Sequence, residues 1–302
     1  MPHALLDIIK QNLPDASPDA RRLFHGRGQT VAGLEAVTLD WYPPLLILTL
    51  YADFDEEWLQ ELSIGLQQLF GKKLGCLVCQ ERRAQQEPGR ILAGTLPETS
   101  FAEEDGLRFL LDPLAHQNIG IFPDMMTGRA YVRNIAGGKK VLNLFAYSCG
   151  FSVAALAGGA KRVVNLDMNK RLLDRGRQNH LLNKQDLRSV AFLGHDLFKS
   201  FGRLKREGPF DLIILDPPFF QHGSFSAGRD WPKMLRRLPE LLTDRGELLA
   251  AVSAPELGET FLRQQIGVAF PGAKILAHLT GGHDFPEQNP DKGLHLLHVA
   301  SR

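Results

Sequence analysis

Apolar residues recur along this chain in two rhythms, and the change between them divides it. In the first third, Leu5, Leu6, Ile8 and Ile9 fall at helical spacing ahead of Pro14, and Ser17-Pro18-Asp19 reads as a helix start leading into Ala20 to Phe24. Leu34 to Trp41 and Leu45 to Tyr51 are apolar runs separated by Tyr42-Pro43-Pro44, which predicts a two-strand hairpin. Trp58, Leu62, Leu66 and Leu69 keep a helical period across Asp55 to Phe70, which Gly71 ends. Strands are predicted at Cys76 to Gln80 and Arg90 to Thr95, divided by polar residues. Two strands, a helix and two strands make a small α+β domain, placed at residues 1–111.

From Lys139 onward strands alternate with helices, the signature of a parallel sheet covered on both faces. Strands are predicted at Lys140 to Leu144, Arg162 to Leu166, Val190 to Leu193, Leu212 to Leu215, Glu247 to Val252, Lys274 to Leu279 and Leu294 to Ala300. Helices are predicted at Gly150 to Ala157, Asn169 to Leu182, Leu197 to Arg206, Ala227 to Leu242 and Pro255 to Phe270. A polar loop joins the last two strands, so the seven-stranded sheet of an α/β domain over residues 112–302 is expected to close with an antiparallel edge hairpin.

The 302 residues are 44% hydrophobic and 23% charged, which excludes disorder, collagen and coiled coil. The apolar runs are too short to span a bilayer, and the first residues carry no secretory pattern. Three cysteines are too few for a disulfide framework, so a cytoplasmic setting is expected. The net charge of +1 hides an uneven split, with −6 over residues 1–111 and +7 over the remainder. A basic second part is compatible with a polyanionic partner and equally with an ordinary solvated surface.

In an open α/β sheet the ligand sits beyond the carboxyl ends of the strands. The first strand of the second part runs through Asn143 into Leu144-Phe145-Ala146-Tyr147-Ser148-Cys149-Gly150, placing Gly150 at a helix start, where backbone can approach a ligand. One glycine where the dinucleotide fingerprint wants three disfavours a nicotinamide cofactor. Asp167 and Met168 end the second strand, where a carboxylate suits ribose hydroxyls or, alternatively, caps the next helix. Asp196 and Leu197 end the third, suited to an adenine amino group and ring, with capping again the alternative. The fourth strand exits into Asp216-Pro217-Pro218-Phe219, where two prolines remove N–H donors and leave carbonyls beside a carboxylate and an aromatic ring. Such a site can accept hydrogen bonds from an amino group while stacking a planar base.

This pattern resembles the class I S-adenosylmethionine-dependent methyltransferases, and within them the bacterial 23S ribosomal RNA large-subunit methyltransferase family. The resemblance runs from Arg22-Leu23-Phe24-His25-Gly26 through Asp40-Trp41-Tyr42, Gly120-Ile121-Phe122-Pro123-Asp124 with Arg129, and Asn143 to Tyr147, to Gly158-Gly159-Ala160. It implies a Rossmann-like seven-stranded fold with the last strand antiparallel, S-adenosylmethionine as cofactor and ribosomal RNA as partner. It implies Phe145 and Gly150 at the methionine end of the cofactor, Asp167 at the ribose and Asp196 at the adenine. Asp216 and Pro217 would face the target, and Phe122, Asp124 and Arg129 would cover the site. Asn143, Met168, Leu197 and Asp216 complete the expected cofactor set, and Asp216, Pro217 and Phe219 the catalytic set.

Relatives that methylate carbon 5 of cytosine need a cysteine nucleophile, where this chain has Val252-Ser253-Ala254. Amino-nitrogen methylation of a nucleobase is therefore expected. Methylation of a protein or small molecule, and a non-catalytic cofactor-binding role in ribosome assembly, remain alternatives. A separate RNA-binding module like that of many relatives is not expected; the helix sides carrying Arg203, Lys205, Arg206, Arg236 and Arg237 are the candidate RNA contacts, with an ordinary solvated helix surface as the alternative for each. Cys76 and Cys79 lack the further ligands of a zinc site, and His278, His283, His295 and His298 lack supporting carboxylate spacing, so neither membrane nor metal is expected. His283 and Asp284 lie in the last connection, as substrate contacts or as part of a turn.

Overall fold

The two apolar runs that predict the first hairpin form adjacent strands of a five-stranded sheet. The computed structural model describes residues 2–13, 17–82, 88–115, 118–218, 220–221, 225–254 and 256–300. They fall into two compact units, Met1–Pro123 with Gly282–Asn289, and Asp124–Gly281 with Pro290–Arg302. This division differs from the expected one at residue 111. Residues 112–115 stay with the first unit because Gln80 Nε2 donates to the Pro113 carbonyl at 2.9 Å and Gly89 N–H to the Leu114 carbonyl at 3.2 Å. Residues 282–289 join it through Arg21–Asp284 at 3.0 Å and Gln288 N–H to the Gly28 carbonyl at 2.7 Å.

The first unit contains α1 (His3–Gln11), β1 (Arg21–His25), β2 (Val37–Tyr42), β3 (Leu45–Leu50), α2 (Glu56–Phe70), β4 (Cys76–Glu81), β5 (Arg90–Gly94), and the hairpin β6 (Ser100–Glu104) and β7 (Leu107–Leu111). The sheet order is β1-β2-β3-β4-β5, with β3 and β4 parallel because α2 crosses between them. Leu59, Leu62, Leu66 and Phe70 of α2 are buried, in a core that includes Leu39, Trp41, Leu46 and Leu48. The helix expected at Ala20 to Phe24 is instead strand β1. Ser17 Oγ accepts from Asp19 N–H in a local turn rather than a helix cap, and Arg22 pairs with Asp40 across β2.

The second unit contains α3 (Met126–Ile135), β8 (Lys140–Leu144), α4 (Gly150–Ala157), β9 (Arg162–Asp167), α5 (Lys170–Leu182), β10 (Val190–Gly194), α6 (Phe201–Glu207) and β11 (Phe210–Leu215). A small hairpin, β12 (Phe220–Gln221) and β13 (Phe225–Ser226), precedes α7 (Ala227–Leu235), β14 (Leu242–Val252), α8 (Gly258–Ala269), β15 (Lys274–Leu279) and β16 (His295–Ala300). The strand order is β10-β9-β8-β11-β14-β16-β15, with β16 antiparallel to both neighbours. All seven predicted strands are present. The expected antiparallel edge hairpin is β15–β16, with β16 between β14 and β15. The helix expected to reach Leu242 stops at Leu235, and after a 3₁₀ turn Leu242 already begins β14.

Helix α3 has no counterpart in the predicted elements, and it packs closely on α4. An ideal Cβ at Gly158, the residue ending α4, would lie 1.9 Å from the Arg133 carbonyl oxygen of α3. Only a glycine lets the two backbones meet there. Gly158→Ala is expected to destabilise the protein by about 2 kcal/mol or more through forced backbone displacement. Urea denaturation measures it; a loss below about 0.5 kcal/mol, the range of neutral surface changes, would show that α3 and α4 separate without cost.

Candidate active site

Strand β8 delivers the chain into a turn that non-glycine residues resist. Phe145, Tyr147 and Cys149 have φ of 57°, 49° and 62°. Each left-handed non-glycine residue costs about 1–2 kcal/mol, so surrounding contacts must hold the turn. Tyr147 N–H donates to Asp167 Oδ2 at 2.9 Å, and Ala146 N–H to the Leu166 carbonyl at 3.1 Å. From α5, Asn179 Nδ2 donates to the Ser148 carbonyl at 2.9 Å. Gly176 admits the Cys149 side chain, since a Cβ at that glycine would lie 2.3 Å from the sulfur. Burial pushes the Cys149 thiol up, so it is an inert packing group.

The three acids read from strand ends have different surroundings. Asp167 accepts from Tyr147 N–H and, through Oδ1, from Asn169 N–H at 2.8 Å. The cap of α5 is Asn169, whose side chain accepts from Arg171 and Leu172 N–H. Burial raises the Asp167 pKa against the opposing effect of its backbone donors. Met168 beside it is exposed. Asp196 accepts from Lys199 N–H at 3.1 Å, shaping the turn ahead of α6, while Leu197 is buried in the main core. Phe145 packs half-buried against that core.

Asn143, expected among the cofactor contacts, has a partner inside the sheet. It is buried, and its Nδ2 donates to Asn165 Oδ1 at 2.9 Å. Asn165 Nδ2 donates to Ser152 Oγ at 2.9 Å, Ser152 Oγ meets His180 Nε2 at 2.9 Å, and His180 Nδ1 meets Gln185 Oε1 at 2.6 Å. Burial pushes His180 down to about 4, so the ring is neutral at pH 7. The asparagine at the same position of two adjacent strands was the available signal for this network, since polar residues in buried parallel strands need partners.

Asp216 follows β11, which lies between β8 and β14. Desolvation raises its pKa to about 7; the Asp124 charge adds to the rise and Arg129 opposes it. Arg129, buried in α3, lies over Gly150, where a Cβ would sit 3.2 Å from the arginine Cδ. Asp124, Arg129, Gly150 and Asp216 thus come together. Pro217 is buried and Pro218 half-buried, whereas Phe219 lies outside the described residues. Phe122 belongs to the first unit and is 40% exposed.

The remaining candidates have partners of their own. His283 Nε2 lies 2.9 Å from Asp284 Oδ1, and Arg21 pairs with the same carboxylate. Both residues line a cavity of about 150 Å³ within the first unit, together with Arg22, His25 and Thr30. Cys76 and Cys79 are buried in β4 with free thiols. No helix among the described residues is long and apolar enough to cross a membrane.

The donor set at the carboxyl ends of β8, β9, β10 and β11 suits a nucleoside carrying a cationic sulfonium. Asp167 and Asp196 offer acceptors, and two acids face one arginine around Asp216. Comparison with known proteins agrees. The family model for S-adenosylmethionine-dependent methyltransferases matches residues 21–300. The ribosomal RNA large subunit methyltransferase I of Aeromonas salmonicida is 32% identical over 271 residues, covering 84% of this chain and 67% of that protein. Its namesake from Cronobacter sakazakii is 30% identical over 257 residues, covering 82% and 64%. This chain therefore spans about two thirds of the length of these relatives. The crystal structure of SMU.776 complexed with SAH superposes with a TM-score of 0.86 at 25% identity, over 98% of this chain and 79% of that one. By sequence and by sheet order, the chain belongs to the S-adenosylmethionine-dependent methyltransferase family.

Proposed function

We propose that this methyltransferase acts on an amino nitrogen of a nucleobase in ribosomal RNA. The observation that carries the reading is Asp216, a carboxyl with pKa raised to about 7 beside Asp124 and Arg129, followed by two prolines at the exit of β11. The relatives' names supply the substrate class.

When bound, S-adenosylmethionine supplies an electrophilic methyl group on sulfur. Phe145 and Gly150 would line its methionine end, Asp167 with Met168 its ribose, and Asp196 with Leu197 its adenine. Asp124 and Arg129 close the same side of the site. The Asp216 carboxylate accepts a hydrogen bond from the substrate amino group and so aligns the nitrogen lone pair with the methyl group. A proton released from nitrogen after transfer finds the same carboxylate as its acceptor, with a pKa suited to the task. The Pro217 carbonyl is a second acceptor. A thiol route to cytosine carbon 5 is disfavoured, since Cys149 is buried with a raised pKa and Ser253 and Ala254 follow β14.

Labelled S-adenosylmethionine offered to ribosomal RNA from cells lacking the protein should leave label in an amino-methylated nucleoside. Label in 5-methylcytidine would overturn the target atom. Uptake by protein or small molecules instead of RNA, or cofactor binding with no transfer, would favour the other readings. Because the ionised carboxylate is the active form, kcat/KM is expected to rise with pH and level off above about 7. Asp216→Asn should lower it by about 10²-fold or more and remove that limb. A pH profile unchanged in the variant would exclude the role.

The raised pKa also predicts a stability effect. Between the unfolded value of 3.8 and about 7 the folded protein binds the proton more tightly, so this group's contribution to stability falls as pH rises through that window. Asp216→Asn removes the charge that must be desolvated. The variant should therefore be more stable than the parent by one to a few kcal/mol, on the order of the linkage, at pH 8. The gain should vanish near pH 4; equal denaturation midpoints at pH 8 would show that the carboxyl is not desolvated.

A further inference from the structure

Three side chains that the methyl-transfer reading leaves unused converge at the outer strands of the second unit. His278 lies next to the end of β15, His295 opens β16, and Glu259 stands in the first turn of α8. Since β16 runs antiparallel, His295 pairs with Val252, the last residue of β14, at the end of the sheet where the parallel strands finish. Nε2 of His278 and Nδ1 of His295 lie 3.0 Å apart, and the rings are stacked with centroids 5.3 Å apart. Glu259 Oε1 is 3.5 Å from His278 Nδ1, and one ligand atom of each residue lies within 4.8 Å of the others.

Two imidazole nitrogens at this separation share either a proton or a cation. Metal–nitrogen bonds of about 2.0–2.1 Å place neighbouring ligand atoms of a tetrahedral or octahedral shell about 3 Å apart, which is the spacing of His278 Nε2 and His295 Nδ1. His295 is buried and so fixed by packing, whereas His278 is partly open to solvent, giving an ion a route in. Arg263 also pairs with Glu259 Oε1, and a cation would compete with it for that carboxylate.

We propose that Glu259, His278 and His295 bind one divalent ion of the zinc class. Two imidazoles and one carboxylate favour such an ion over magnesium or calcium, which prefer all-oxygen shells. The ion would tie the first turn of α8 to the β15–β16 hairpin, a structural link rather than a part of the methyl-transfer chemistry. Sequence reading expects no metal because no carboxylate stands at ligand spacing from these histidines, and only the fold brings Glu259 to them.

The test is calorimetric titration of zinc ion into the chelator-stripped full chain. One zinc per chain is expected, weakened about ten-fold or more by His278→Ala and by Glu259→Gln and unchanged by His283→Ala. Zinc should raise the Tm of the parent and leave that of the His278 variant in place, a readout independent of methyl transfer. X-ray absorption of the zinc-loaded chain should show two imidazole ligands. If His278→Ala does not fold, His278→Gln makes the same comparison. Absence of zinc binding by the parent, equal binding by the variants, or a zinc shell without imidazole would overturn the proposal.

Discussion

Asp167 joins the two strand ends on which the cofactor side of the sheet is built. One oxygen takes Tyr147 N–H from the turn after β8, and the other takes Asn169 N–H at the entry to α5. Without that bridge, three left-handed non-glycine residues in five would have little to hold them. The turn in turn sets where α4 begins, and so where Gly150 lies under Arg129 and where Arg129 can oppose the charge of Asp216. A carboxylate with a ready ligand-binding explanation thus also has a scaffold role. Its replacement would disturb backbone geometry together with any hydroxyl it contacts.

The buried chain Asn143–Asn165–Ser152–His180–Gln185 works in the same direction from inside the sheet. Polar groups so placed are costly unless each finds a partner, and here every link is made, with Gln185 Nε2 closing on the Val153 carbonyl at 2.8 Å. Such a network fixes register, because sliding α4 or α5 along the sheet would break several bonds at once. The strained turn therefore rests on helices held in place by hydrogen bonds as well as by apolar packing.

Strands and most helices were legible because buried parallel strands leave short apolar runs and helices keep their period, as Ile213 between Leu212 and Ile214, or Leu62 with Leu66, illustrate. Strand β1 was not, since Ser17-Pro18-Asp19 imitates a helix cap and only the partner Asp40, on another strand, reveals that Arg22 belongs to a sheet. Helix α3 was missed because it buries a glycine and an arginine, Gly128 and Arg129, where an apolar stripe is sought. The acids at strand ends were legible through topology. The structural partner of Asn143 was not legible, because its contact with Asn165 depends on strand pairing.

Charge distribution along the chain says less about RNA contact than the partners of each cation do. Arg22 is held by both oxygens of Asp40 at 2.8 Å in a largely buried pair, so a phosphate would have to displace a carboxylate that is already desolvated. Lys205 also has a carboxylate, Glu240, but both are about half exposed, and a surface pair of that kind is worth about 0–1 kcal/mol. Phosphate can compete there at little cost. Arg237 lies with its guanidinium 3.7 Å from the Phe201 ring centroid, a cation–π contact. The cations of α6 and of the segment after α7 are thus held more loosely than the buried pair of the first unit, which holds its own strands together.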